Sequence, residues 1–264
     1  MKNSVVLFLA TCLTWLSPSS IRAQILSDNF NSYTDGDLVG QGGWAQTGSV
    51  ATAPVQVNGG VVTIGSTGQD IYDPFNSPVT LTDGQSIYFG VTINVSAART
   101  GDYFMHFTPS VGNQSLFYDR LFIQSTTGGF LLGLEGTSGG GASVSYGSTV
   151  LSLNTSYNIV LAYNYSDTTP SNSVVAVFVN PADPLVANNS AYLSVGWGSS
   201  NPDTNQIAAV NFRQGSSSSS PTLTVDNLVV SQMFADVVPA PEPSTFVLAS
   251  LGGLSCWFML RKKR

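Results

Sequence analysis

Alternation with a period of two, repeated in run after run and broken by glycine turns, limits this chain more than any other feature. In residues 86–95 the odd positions are Ile87, Phe89, Val91, Ile93 and Val95, while the even ones are mostly Ser, Thr, Gly and Asn. Successive side chains of a strand point to opposite faces, so this run predicts a half-buried β-strand. Residues 157–165 repeat the pattern with Tyr157, Ile159, Leu161, Tyr163 and Tyr165 on one face, and Val175, Val177 and Val179 give a third case. Further strands are expected over residues 61–64, 103–107, 116–124, 130–134, 206–212 and 222–230. Turn-forming clusters separate them: Asn58-Gly59-Gly60, Thr82-Asp83-Gly84, Thr127-Gly128-Gly129, Ser138-Gly139-Gly140-Gly141 and Asn180-Pro181. No helical period is evident before residue 245. Many short strands with such spacing imply an antiparallel sandwich or barrel, and the serine run from Ser216 to Ser220 reads as a loop between two of them. In the last strand Leu223 and Val225 share a face, while Leu228 and Val230 have the opposite parity. A β-bulge near Asp226-Asn227 would return both pairs to the core.

Charge narrows the partners. Between Gln24 and Val238 there are three basic residues, Arg99, Arg120 and Arg213, against fourteen acidic ones, a balance of −11. A surface so poor in cations cannot displace counterions from phosphates, which excludes nucleic acid, and it repels anionic membranes. The two cysteines, Cys12 and Cys256, lie in the terminal segments, so the middle of the chain has no disulfide framework.

The two ends read as addresses. Residues 1–23 have the form of a signal peptide, with Lys2 first, an apolar stretch from Val5 to Leu16, and expected cleavage between Ala23 and Gln24. At the other end a proline-rich linker, 235–245, leads to an uncharged stretch from Thr245 to Leu260 and then to Arg261-Lys262-Lys263-Arg264. Such a run suits a short transmembrane helix with a cytoplasmic basic stop, placed at residues 246–264. With Pro241-Glu242-Pro243 ahead of it, this end resembles the PEP-CTERM sorting signal. The resemblance implies that an exosortase-type membrane protease-transpeptidase recognises the tripeptide and removes the tail. Export, transient anchoring in the inner membrane and release to the cell surface of a Gram-negative-type bacterium follow as expectations.

Between these ends, residues 24–234 are expected to form one domain. Asp28-Asn29-Phe30 followed by Tyr33, Asp35-Gly36 and Gly42-Gly43-Trp44, with Gly101-Asp102-Tyr103-Phe104 and Val225-Asp226-Asn227-Leu228 later, resembles concanavalin A-like, laminin-G-type jelly rolls. That resemblance implies an all-β antiparallel sandwich whose first and last strands lie together, bringing Asp28 near Asp226. One structural calcium ion held by Asp28 and Asp226 is a further expectation, since hard cations take carboxylate oxygens.

Sugar sites use aromatic platforms, and Trp44 and Trp197, each beside glycines, are the candidates for them. Asp102 and His106 have the same strand parity, and with Arg120 they make a candidate polar cluster on the concave face, opposite Tyr103, Met105 and Phe107. Glu135 is the sole glutamate of the domain and is expected to be solvated at a strand end. The glutamate pair of a retaining glycosidase is therefore missing. On these grounds the leading expectation is a non-catalytic, exopolysaccharide-associated surface protein. A lectin-like carbohydrate binder is the first alternative and a glycan-active enzyme the second.

Overall fold

The computed structural model of the chain describes residues 24–48, 52–113, 115–137, 143–167, 172–198 and 203–239. The expected signal peptide, the Pro241-Glu242-Pro243 motif and the C-terminal helix lie outside the described residues. Among those described, no helix is long and apolar enough to cross a membrane.

Two antiparallel sheets face each other, as the alternation requires. The nine-stranded sheet runs in the order β14 (Leu193–Gly196), β13 (Val174–Val179), β12 (Ser156–Asn164), β7 (Ser86–Ala97), β16 (Thr222–Ser231), β5 (Val61–Ile64), β4 (Gln56–Asn58) and β2 (Gly36–Asp37), with β1 (Leu26–Asp28) also pairing to β16. The seven-stranded sheet runs β11 (Ser145–Tyr146), β10 (Gly129–Glu135), β9 (Tyr118–Thr126), β8 (Asp102–Thr108), β15 (Gln206–Phe212), β6 (Asp70–Thr80) and β3 (Ala45–Thr47). First and last strands pair, with Leu26 opposite Val230 and Asp28 opposite Leu228. The register between β16 and β7 shifts between Asp226 and Val229, where Asn227 has φ +52°, and both apolar pairs of β16 reach the core. Small polar residues tolerate that left-handed conformation better than branched ones.

The core between the sheets is aromatic-rich. Phe89 of β7 stacks on Phe107 of β8 with ring centroids 3.6 Å apart, and Trp44 stacks on Phe212 of β15 at 5.0 Å. The Phe89–Phe107 stack joins one sheet to the other, so burying these rings closes the sandwich.

Three features depart from the sequence reading. The eleven-residue β6 is not among the expected strands, because Asp70, Asp73, Pro74 and Pro78 disguise its alternation, although Ile71, Asp73 and Phe75 all point inward. Pro74 is accommodated where the register between β15 and β6 shifts, between Ile207 and Ala209. A short helix, α1 (Phe234–Val237), follows the last strand. Finally, β8 is irregular: its register with β9 shifts between Tyr103 and Met105 and again between Met105 and Phe107. These shifts break the simple parity, so Tyr103 leaves the company of Met105 and Phe107 and joins His106.

Candidate functional site

The outer face of the seven-stranded sheet carries a cleft of about 330 Å³ lined by Thr47, Asp70, Tyr103, His106, Phe117, Asn211 and Arg213. Strand geometry explains who lines it. Asn211 alternates with core residues Val210 and Phe212 on β15, and Asp70 precedes core residue Ile71 on β6. His106 on β8 pairs with Asn211 on β15, which puts imidazole and amide side by side. Asn211 Nδ2 donates to Thr108 Oγ1 at 3.3 Å.

Aromatic packing fixes the imidazole. Its ring meets Phe117 edge-on at 4.8 Å and Tyr103 edge-on at 5.4 Å between centroids. Only 4% of His106 is exposed, and Nδ1 has no hydrogen-bond partner among the described residues. Burial first, then the nearby guanidinium groups of Arg213 and Arg120, push the imidazole down to about 3. The ring is therefore neutral at neutral pH. Arg213 lies over the Tyr103 ring, its Cζ 4.3 Å from the centroid. Burial raises the Tyr103 phenol, and Arg213 and Arg120 partly offset that. Arg120 Cζ is 5.3 Å from the Tyr103 centroid and 5.9 Å from that of Phe122.

Of the residues singled out in the sequence, His106 and Arg120 meet in this cluster around Tyr103. Asp102 lies at its edge, its Oδ1 ion-paired with Arg213 Nη1 at 2.8 Å. Tyr103, Asn211 and Arg213 are site residues that sequence reasoning misses. Their one sequence signal is rarity: Arg213 is one of only three cations between Gln24 and Val238.

Other candidates fall elsewhere. Trp44 is 1% exposed, its Nε1 donates to Asp28 Oδ2 at 2.9 Å, and its ring stacks on Phe212. Trp197 is 4% exposed and stacks on Tyr118 at 5.4 Å. Both rings belong to the core cluster between the sheets, so both are interior anchors rather than platforms. Glu135 is not solvated either: it is buried, and its Oε2 pairs with Arg120 Nη2 at 2.7 Å. Asp28 accepts from Phe30 N, Tyr33 Oη and Trp44 Nε1, and Asp226 accepts from Asn227 N. Among the described residues no three His, Cys, Asp or Glu side chains gather as a metal site would require.

Architecture defines a class: a two-sheet antiparallel β-sandwich with a polar-aromatic cleft on one outer face. Neither a protein-family model nor a curated protein sequence matches the chain. Among solved structures it is similar to a double mutant of the alginate lyase Aly36B in complex with alginate trisaccharide, at 15% identity and a TM-score of 0.51, covering 78% of this chain and 97% of that one. A second double mutant of the same lyase, in complex with alginate tetrasaccharide, matches at 16% identity and a TM-score of 0.50, covering 78% and 95%. A receptor-binding domain of botulinum neurotoxin C/D mosaic serotype matches less closely, at 12% identity and a TM-score of 0.45, over 80% of this chain and 48% of that one. At these identities the likeness is one of fold. It nonetheless removes the ground for the leading expectation of a non-catalytic protein, because an alginate lyase shares the sandwich. The missing glutamate pair speaks against a retaining glycosidase alone and leaves other glycan chemistry open.

Proposed function

We propose that the chain is a glycan-active enzyme that cleaves an acidic, uronate-containing polysaccharide by β-elimination at the Tyr103–His106–Asn211–Arg213 cleft. The observation that carries this reading is a neutral, buried imidazole held against a phenol, an amide and a guanidinium in one cleft. Elimination needs those parts. Arg213 and Asn211 bind the uronate carboxylate and draw charge from the adjacent carbon, making its hydrogen acidic. His106 takes that proton; the freed electron pair forms the carbon–carbon double bond and expels the glycosidic oxygen, which takes a proton from the Tyr103 phenol. The products are an unsaturated uronate end and a new hydroxyl end. Proton return from His106 to Tyr103 through water resets the site. Alginate is the sugar held by the similar solved structures, which makes a polyuronate the first substrate to try.

The test is incubation of the full chain with polyuronates and with neutral glucans, followed by the ultraviolet absorbance of the unsaturated product. Polyuronate cleavage with that absorbance, lost on His106→Ala, is expected. New reducing ends without it would mean hydrolysis, and binding without turnover would restore the lectin reading; either result sinks the elimination mechanism.

We also propose that the chain is exported and processed at its Pro241-Glu242-Pro243 motif by an exosortase-type enzyme. One geometric fact makes the two proposals compatible. The described chain leaves the fold at Val238–Pro239 against Val91, Asn158 and Asn227 of the nine-stranded sheet, whereas the cleft opens on the outer face of the other sheet. A tail tethered there leaves the cleft open to an external polymer. Intact-mass spectrometry of extracellular protein should show loss of residues 246–264; a mature form that keeps Arg264 refutes processing.

A further inference from the structure

The serine run, with no face of its own to bury, folds against the edge of the cleft. Ser220 Oγ donates to Asp102 Oδ2 at 2.7 Å and Ser219 Oγ at 3.2 Å, while Ser220 Oγ accepts from Ser216 N at 2.9 Å. On its other oxygen, Asp102 Oδ1 accepts from Tyr103 N at 2.9 Å and pairs with Arg213 Nη1 at 2.8 Å. The turn is tied to the start of β8 as well: Gly101 N donates to Ser219 O at 3.3 Å, and Thr100 Oγ1 to Ser218 O at 3.2 Å. Gly215 admits this crowding. A Cβ there would collide with Arg213 Nη1, Ser220 Oγ and Asp102 Oδ2 at once.

We propose that Asp102, gripped by the Ser216–Ser220 turn, is a positioning residue that clamps Arg213 over Tyr103. The proposal rests on the reading of Tyr103 and Arg213 as groups that meet substrate. Arginine has a long side chain with several rotamers, and freezing them is an entropic cost that a bound substrate would otherwise meet. Apart from Asp102, the ion-pair partner facing Arg213 among the described residues is Asp70, at 3.9 Å from Nε. That is too long to fix a guanidinium plane. Asp102 does so because its own position is fixed independently, by three donors on two oxygens: Tyr103 N, Ser219 Oγ and Ser220 Oγ. Burial pushes this carboxyl up, yet the bonds from Arg213, Ser220 and the Tyr103 amide bring it below the usual carboxylate range, so it stays charged.

Two variants of the full chain test the clamp, Asp102→Asn and the double change Ser219→Ala/Ser220→Ala, with Ser219→Ala alone in reserve should the others fail to fold. The Arg213 Nη–H signals, assigned by their loss in Arg213→Lys, report the clamp without reference to activity. Their proton exchange should quicken roughly tenfold once the Asp102 ion pair or its support is lost. On a polyuronate, kcat should fall about 100-fold with KM little changed, because misplacement acts on the reacting geometry more than on binding. Unchanged Arg213 protection in both variants overturns the proposal, whatever happens to melting temperature, and reduces the turn to a structural loop. Quicker exchange in a chain whose wild type cleaves no polyuronate leaves the clamp standing and overturns the reading of the site instead.

Discussion

On the seven-stranded sheet the outward side chains at the centre are Tyr103, His106, Asn211 and Arg213; on the nine-stranded sheet the outward positions of β7, β12 and β13 hold Tyr88, Val160, Ala162, Ala176 and Phe178. The second set is covered by Phe234, Val237 and Val238, with Phe234 edge-on to Tyr88 at 5.4 Å and to Phe178 at 5.1 Å. Gly90 lets the segment settle so closely that a Cβ there would meet Val237 O at 2.6 Å. Both sheets therefore use their inner faces alike and their outer faces in opposite ways. An outward apolar patch obtains a cover from the chain itself, whereas the outward polar-aromatic patch lines a cleft and keeps its imidazole neutral.

The sharpest way to break this contrast is to remove the reacting groups. His106→Ala and Tyr103→Phe should each lower polyuronate turnover by about 10²–10⁴-fold, with Tyr103→Phe leaving the melting temperature close to wild type. Turnover that survives both changes would make the open face a mere surface. Next comes Glu135→Gln, which strands the buried Arg120 charge and should cost about 3–5 kcal/mol in denaturant unfolding. A loss under half that size would return Glu135 to the solvated role expected from sequence. On the opposite face, Phe234→Ala should cost about 3 kcal/mol, with kcat unchanged. An equal loss of kcat would join the two faces into one functional unit.

The alternation made the inner faces legible because burial there depends on parity alone: Ile87, Phe89, Val91, Ile93 and Val95 are all buried. The parity break at Leu228 was legible as well, since two apolar pairs out of phase have one geometric remedy. Outer faces follow no such rule. Tyr88, Val160 and Phe178 sit where polar residues were expected, and only the covering helix explains them. The site was half legible for a related reason. His106 and Arg120 stood out as rare residue types, but Tyr103 was assigned to the wrong face because the register shifts in β8 depend on pairing with β9, which one strand's sequence does not encode. Arg213 and Asn211 lie more than 100 residues from His106 in the chain, and only the β8–β15 pairing brings them together. Trp44 and Trp197 misled because glycine neighbours allow a ring to fold inward as easily as outward.

The smallest expected effect separates carboxylates that serve the cleft from one that burdens the core. Asp102 has three donors and the Arg213 ion pair; Asp73, pointing inward from β6, is 2% exposed and its Oδ2 has no hydrogen-bond partner among the described residues. Burial first, then the neighbouring Asp28, push the Asp73 carboxyl up to about 7. In the unfolded chain it titrates near 3.9, at about the model-peptide value. The folded state therefore binds this proton more tightly than the unfolded state. Its contribution is fully present at pH below the unfolded value and is lost as pH rises through the folded one, at up to about 1.4 kcal/mol per pH unit. Asn is isosteric and cannot ionise, so Asp73→Asn removes the loss while leaving an amide that can donate to Asp28. Denaturant unfolding should show the variant more stable than wild type by about 1–3 kcal/mol near pH 8, with the difference closing near pH 4. A gain that is the same at both pH values would mean that packing, not titration, sets the cost of Asp73, and the contrast between a donor-held carboxylate at the cleft and a proton-held one inside would fall with it.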